Sequence, residues 1–216
     1  MKGKTSDALR FYNLWQRHLI TSLSAAETQV ETTFQALINA YNEPQRYYHT
    51  LRHIDHCLGQ FDQVCHLLQE PDAVELSIWY HDIIYHPGAA DNEQRSADTF
   101  KQQTDSLFPL EFCNVIYAQI MATLHDQSEI SDHDTRYLVD IDLSGFALPW
   151  PEFIQDGENI RHEMKSQTDA VFDAKQKSFY LYLLDRPRIY LSEYFFDKYE
   201  AKARQNIKDK LETLKT

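Results

Sequence analysis

The chemistry available to this sequence lies in its histidines and aspartates. Ten histidines occur in 216 residues, and six of them fall between residues 49 and 86. The run Tyr47-Tyr48-His49-Thr50-Leu51-Arg52-His53 sets two imidazoles four apart. On a helix that spacing puts both on one face, with Cβ atoms about 5–6 Å apart. Trp79-Tyr80-His81-Asp82 ends an apolar helical pattern just before the turn His86-Pro87-Gly88. His125-Asp126 follows the apolar stretch from Val115 to Leu124, and Asp140-Ile141-Asp142 closes a short apolar helix. Imidazole and carboxylate together favour a divalent first-row metal, and a centre that keeps an open position activates water. Plainer readings stand beside this one. A lone histidine on an apolar face is more often a core residue, and Asp126 and Asp140 also suit helix ends. The adjacent pair His81-Asp82 shifts the balance, because neighbouring side chains on a helix diverge by about 100°. A structural pairing gains little from that adjacency, whereas at a helix terminus two short ligands can bend onto one ion. His18, His66, His133 and His162 have no partner pattern, and His56 on a helix points away from His49.

The elements that must position these groups read as helices. There are only five glycines, about a third of the average of roughly 7%, too few for the φ > 0 turns that hairpins demand. Ser24-Ala25-Ala26-Glu27 has the form of a capping box ahead of Val30, Phe34, Leu37, Ile38 and Tyr41. Asp72 to Glu75 reads as a second cap leading into Leu76, Trp79, Tyr80 and Ile83. Ile54, Leu58, Phe61, Val64 and Leu68 form another apolar face. Ser131 and the acids after it open a short segment through Tyr137, Leu138 and Ile141. Val171, Phe172, Phe179 and Leu183, and then Phe196 to Leu214, continue the pattern. Breaks fall at 42–44, 86–88, 107–109, 149–151 and 186–187, and none has the length of a linker. The expectation is one all-α domain over residues 1–216, of about eight to ten helices of roughly 10–20 residues.

Composition narrows the function classes. With 21 Lys+Arg against 33 Asp+Glu the net charge is −12, which argues against binding long nucleic acid or an anionic membrane surface. No run of about 18 apolar residues suggests a span, and the N-terminus lacks a signal-peptide pattern. Three cysteines leave an odd thiol under any pairing, so a reducing, cytoplasmic setting is expected.

Taken together, "YYHTLRHI", "WYHDIIYHP", "DNEQRSA", "ATLHD" and "LVDIDLSGF" resemble a bacterial family described as predicted metal-dependent HD phosphohydrolases. The resemblance covers roughly residues 44–165 and implies that residues 166–216 pack on that core as further helices. It implies His53, His81, Asp82 and Asp142 as ligands of a divalent cation (Mn, Mg, Fe, Ni, Co or Zn), with one or two ions per chain. The first segment and "HDIIYHPG" also look like cyclic-nucleotide phosphodiesterases, where the earlier histidine protonates the leaving group and the later one binds metal. That match makes His49 the general acid and His53 the ligand, with the exchanged assignment as the alternative. Thr50 stands where the phosphodiesterases have Asn, and one extra residue separates His-Asp from His-Pro-Gly, so a cyclic substrate does not follow. Between Asp140 and Asp142, the superfamily's usual placement favours Asp142. His86 and His125, with Asp140, are candidates for a second metal or for lining the pocket. Glu93 either positions water at the mouth of the site or is a first-turn helix acid. Arg52 and Arg95 hold phosphate by forked contacts or are solvated cations. Tyr47, Tyr48, Trp79 and Tyr80 either wall a pocket able to stack a base or belong to the core.

The implied activity is hydrolysis of a small phosphoester, with a nucleotide as the expected substrate. A metal-acidified water attacks phosphorus in line, and His49 donates a proton to the departing alkoxide. The cation supplies local positive charge in an acidic protein. Two rivals belong to other classes: a di-iron oxygenase, as some HD relatives are, and a non-catalytic nucleotide-binding metalloprotein. The apolar faces leave room for a homo-oligomer.

Overall fold

Ala73 to Tyr80 are all buried, and they make up most of the helix around which the others are arranged. The computed structural model describes residues 6–20, 23–126 and 130–214. Among these it contains ten α-helices and no strand: α1 (Ser6–His18), α2 (Leu23–Tyr41), α3 (Leu51–Val64), α4 (Pro71–Tyr80), α5 (Asn92–Thr104), α6 (Leu110–Ala122), α7 (His133–Leu143), α8 (Trp150–Glu163), α9 (Asp169–Asp185) and α10 (Glu193–Thr213). Single 3-10 turns follow α3 and α7, at Cys65–Leu67 and Ser144–Ala147. All five expected breaks lie at helix boundaries. None of the described helices is long and apolar enough to cross a membrane.

The buried helix α4 is apolar on every side, as a helix must be when others surround it. It packs against α3, α5, α6 and α7, and α1 and α2 cover it through Phe11 and Phe34, whose rings meet Trp79 edge-on. Most of its polar groups are matched, as burial favours, although the Trp79 indole N–H is buried without a partner. Glu75 accepts from Arg10 Nε at 2.7 Å, Ser77 donates to Gln119 at 2.7 Å, and Tyr41 donates to the Trp79 carbonyl at 3.0 Å.

Helix starts differ from the sequence reading in two places. α4 begins at Pro71, which suits the first helical position, and Asp72 is not its cap. The Asp72 carboxylate is drawn instead to Arg17 and His18 of α1, at 2.6–2.7 Å. α7 is capped by Asp132, one of the acids after Ser131, whose side chain accepts from the Thr135 N–H at 2.8 Å. α2 begins at Leu23, so the Ser24 box lies inside its first turn; the side chains of Ser24 and Ala25 are outside the described residues.

The C-terminal helices are tied to α7. Asp140, on α7, is fully buried and accepts from the Leu191 and Ser192 N–H groups at 2.7 Å and from the Ser192 hydroxyl at 2.6 Å. Burial pushes its carboxyl up to about 7, against the pull of those donors and of Arg186. Tyr190 donates to the Leu143 carbonyl, and Asn206 to those of Phe146 and Leu148. Asp140, a candidate for a second metal or the pocket, thus spends both oxygens on the chain entering α10. Asp140→Asn turns a donor toward those N–H groups. It should lower stability by about 1–3 kcal/mol in denaturant titration while leaving metal content unchanged; metal loss at intact stability would return Asp140 to the site.

Candidate metal centre

The C-terminal end of α4 aims the central pair. The His81 N–H still donates to the Ser77 carbonyl, and its ring Nδ1 lies 2.8 Å from the Ile78 carbonyl. A carbonyl only accepts, so the proton sits on Nδ1 and the Nε2 lone pair points away from the helix. Asp82 follows, and Arg46 fastens this turn. Its buried guanidinium donates to the carbonyls of Asp82 at 2.7 Å, Ile83 at 2.9 Å and His49 at 3.3 Å. One side chain thereby joins the first histidine segment to the His-Asp turn. α3 contributes His53 and α7 contributes Asp142.

These four residues converge. His53 Nε2 lies 3.1 Å from His81 Nε2, 3.2 Å from Asp142 Oδ1 and 3.7 Å from Asp82 Oδ2. His81 Nε2 lies 3.1 Å from Asp82 Oδ2 and 3.6 Å from Asp142 Oδ1. Two donors bound to one ion at about 2.1 Å stand about 3.0 Å apart at right angles and about 3.4 Å apart at the tetrahedral angle. Three of the five separations, at 3.1–3.2 Å, fall within that range, and the other two, at 3.6 and 3.7 Å, lie just beyond it. Two imidazole nitrogens at 3.1 Å with two carboxylates beside them repel unless a proton or a cation lies among them, so the residues fit a divalent cation. In the protein alone, protons carry the compensation. Burial opposes charge on all these groups, but the His81, His49 and His53 rings hold Asp82 far below the usual carboxylate range. His125, His53 and His81 hold Asp142 likewise. The two carboxylates in turn overcome burial and raise the His81 ring well above its ordinary value.

Cys57 was not among the candidates, yet it belongs here. One turn after His53 on α3, its Sγ is 3.7 Å from His53 Nε2, and His53, Cys57 and Asp142 offer donor atoms within 4.8 Å of one another. Burial, with the charges of Asp142 and Asp82, keeps the thiol pKa well above its ordinary value. The sequence signal was the i, i+4 spacing from His53.

The remaining candidates divide. His125 sits at φ 56°, a left-handed backbone uncommon for a side-chain-bearing residue, and its Nε2 is 2.8 Å from Asp142 Oδ2. A carboxylate only accepts, so Nε2 carries the proton and His125 steadies Asp142. Glu93 is half-buried in the first turn of α5; burial raises its carboxyl, and the charges of Asp82 and Asp142 add to the effect. His86 is exposed and belongs to neither ligand group among the described residues, although Asn92 clamps its backbone N–H and carbonyl. Arg52 is largely exposed and pairs with Asp156 of α8. Arg95 is exposed on α5. Trp79 and Tyr80 are core residues, Tyr47 is exposed, and Tyr48 lines a cavity.

His49 does not share a helix face with His53, because α3 starts only at Leu51. The segment before it is held by Glu163, which the sequence reading missed. One Glu163 oxygen accepts the N–H groups of Tyr47, Tyr48 and His49 at 2.7–3.0 Å, and the other lies 2.7 Å from His49 Nδ1. Burial opposes charge on both partners, but the field of Asp82 and the Glu163 pairing still raise the His49 ring, and His49 with the backbone N–H groups lowers Glu163. The His49 ring stacks on Tyr85 at 3.9 Å and stands 6.2 Å from the His53 ring, centroid to centroid.

Comparison of the chain with protein-family models, with curated proteins and with solved structures returned no match.

Elemental analysis of protein purified without chelator should find about one or two divalent ions per chain. Asp82→Ala should lose them, whereas Asp126→Ala, altering an exposed residue, should keep them. Retention of metal by Asp82→Ala would overturn this assignment.

Proposed function

We propose that this protein is a metal-dependent hydrolase of a small phosphoester, as its resemblance to the HD phosphohydrolases implies. The observation that carries the reading is the His53–His81–Asp82–Asp142 cluster with the His49–Glu163 pair beside it. Metal ligands and a separate, charge-stabilised proton donor are what ester hydrolysis requires. A divalent ion held by the cluster supplies Lewis acidity and an acidified water. His49 supplies the proton: Glu163 fixes its Nδ1–H, so Nε2–H is the donor to the leaving oxygen. Glu163 is a positioning residue that keeps the imidazolium form populated. Arg52 stands in the polar cavity that also reaches His53 and steadies the phosphoryl oxygens from there. His125, spent on Asp142, favours one ion at the cluster over the two of a di-iron oxygenase.

His49→Ala should retain metal and lower kcat by about 10²–10⁴-fold, with a smaller loss for a nitrophenyl ester, whose leaving group needs little protonation. Equal losses across leaving groups would mean that His49 is not the acid. Glu163→Gln removes the charge that raises the His49 pKa. The acid form should then be lost at lower pH, moving the basic limb of the kcat profile downward; an unmoved limb would leave Glu163 a structural anchor only.

A further inference from the structure

Beside His53 lie two adjoining hollows. The first, about 160 Å³, has mixed polar and apolar walls and is lined by Arg52, His53 and His56 among others. The second, about 250 Å³, lies among the Ser144–Ala147 turn, α8 and α9. Tyr48, Gly145 and Asp156 border both. Its walls are mostly carbon, from Phe146, Phe153, Ile160, Phe179 and Tyr180. We propose that it receives the organic part of the substrate and that this part is an apolar alkyl or aryl group rather than a nucleobase. The proposal rests on the hydrolase reading for the phosphoryl group and narrows the substrate class to phosphate esters of apolar alcohols.

Two features support that occupant. The cavity shares Tyr48, Gly145 and Asp156 with the hollow lined by His53, so an ester with its phosphoryl group beside His53 would lead its organic part past Tyr48. The hydrogen-bonding capacity of the wall is also small. Asp156 is already paired with Arg52, and the Gln167 Oε1 is buried without a partner; with Lys175, Gln176 and the hydroxyls of Tyr48 and Tyr180 these are the wall's polar groups amid a mainly hydrocarbon lining. A nucleobase brings several donors and acceptors on its edge, and each one left unpaired lowers affinity by about tenfold or more. A hydrocarbon group loses nothing there, and each methylene buried gains about fourfold.

The test is a chain-length series with Mn²⁺ saturating: methyl, butyl and octyl phosphate, whose leaving groups are alike in basicity, and adenosine monophosphate. The expected kcat/KM rises at least 100-fold from methyl to octyl phosphate and exceeds that for the nucleotide. Ile160→Trp fills the cavity and should bring the octyl-to-methyl ratio near unity. Should that variant not fold, the series on the unaltered protein still decides. Hydrolysis that is indifferent to chain length, or fastest for the nucleotide, overturns the proposal and leaves the hydrolase reading standing. Calorimetric binding of octylphosphonate against methylphosphonate separates the reverse case. If no ester is hydrolysed but octylphosphonate binds at least 100-fold more tightly, the apolar subsite stands and the hydrolase reading fails. Equal binding of the two phosphonates removes the subsite whatever the activity.

Discussion

Two ionised carboxylates held against two imidazoles at the C-terminal end of a buried helix form the constraint on which the structure turns. A helix C-terminus carries partial negative charge, and Asp82 and Asp142 add two full charges within 4 Å of the His53 and His81 nitrogens. Such a concentration is unfavourable in an interior unless each charge has a partner. The surroundings supply partners at every level. The Arg46 fork takes the carbonyls just beyond α4, the Ile78 carbonyl fixes the His81 tautomer, and His125 binds the outer oxygen of Asp142. The inner space between the four ligand atoms, where protons carry the compensation in the protein alone, is where a divalent cation could be held. The net charge of −12 is compatible with an anionic substrate on the same account, because the decisive charge is local.

α8 carries the second tier. Asp156, Ile160 and Glu163 follow one another at spacings of four and three, which places them along one face. Glu163 ends that face beneath the His49 segment, Asp156 meets Arg52, and Ile160 borders the apolar cavity. One helix therefore sets His49, Arg52 and the wall of the adjoining cavity in register. The Ser144–Ala147 turn, which faces α8, is itself held by Asn206 of α10. α10 thus acts on this region through the turn, while α9 lines the adjoining cavity itself.

Much of this was legible in the sequence, for reasons that also explain what was not. Helical periodicity and the Pro and Gly breaks are local signals, and the helices lie where they pointed. His81-Asp82 could be read because a ligand pair at a helix end needs only short-range geometry. Glu163 could not, since its role depends on contact with residues 114–116 positions earlier, and a glutamate at a helix end has many plainer uses. Cys57 was passed over because a lone thiol carries no pattern until His53 is fixed on the same face of α3. The cap misread at Asp72 shows the same limit: a side chain that can cap can also be claimed by a tertiary partner, as Arg17 and His18 claim Asp72.

The choice between Asp140 and Asp142 shows how the fold settles what the sequence leaves open. Residues two apart on a helix point about 200° apart, so α7 must send these carboxylates to nearly opposite sides. Both are enclosed, yet their partners differ in kind. Asp142 meets imidazoles that can exchange a proton for a metal, whereas Asp140 meets backbone N–H groups that can only donate. A carboxylate bound by fixed backbone donors suits a structural joint. One bound by titratable rings can trade its partner's proton for a cation, and that exchange is what makes a site. The same helix thus joins the C-terminal segment to the core with one face and completes the metal centre with the other.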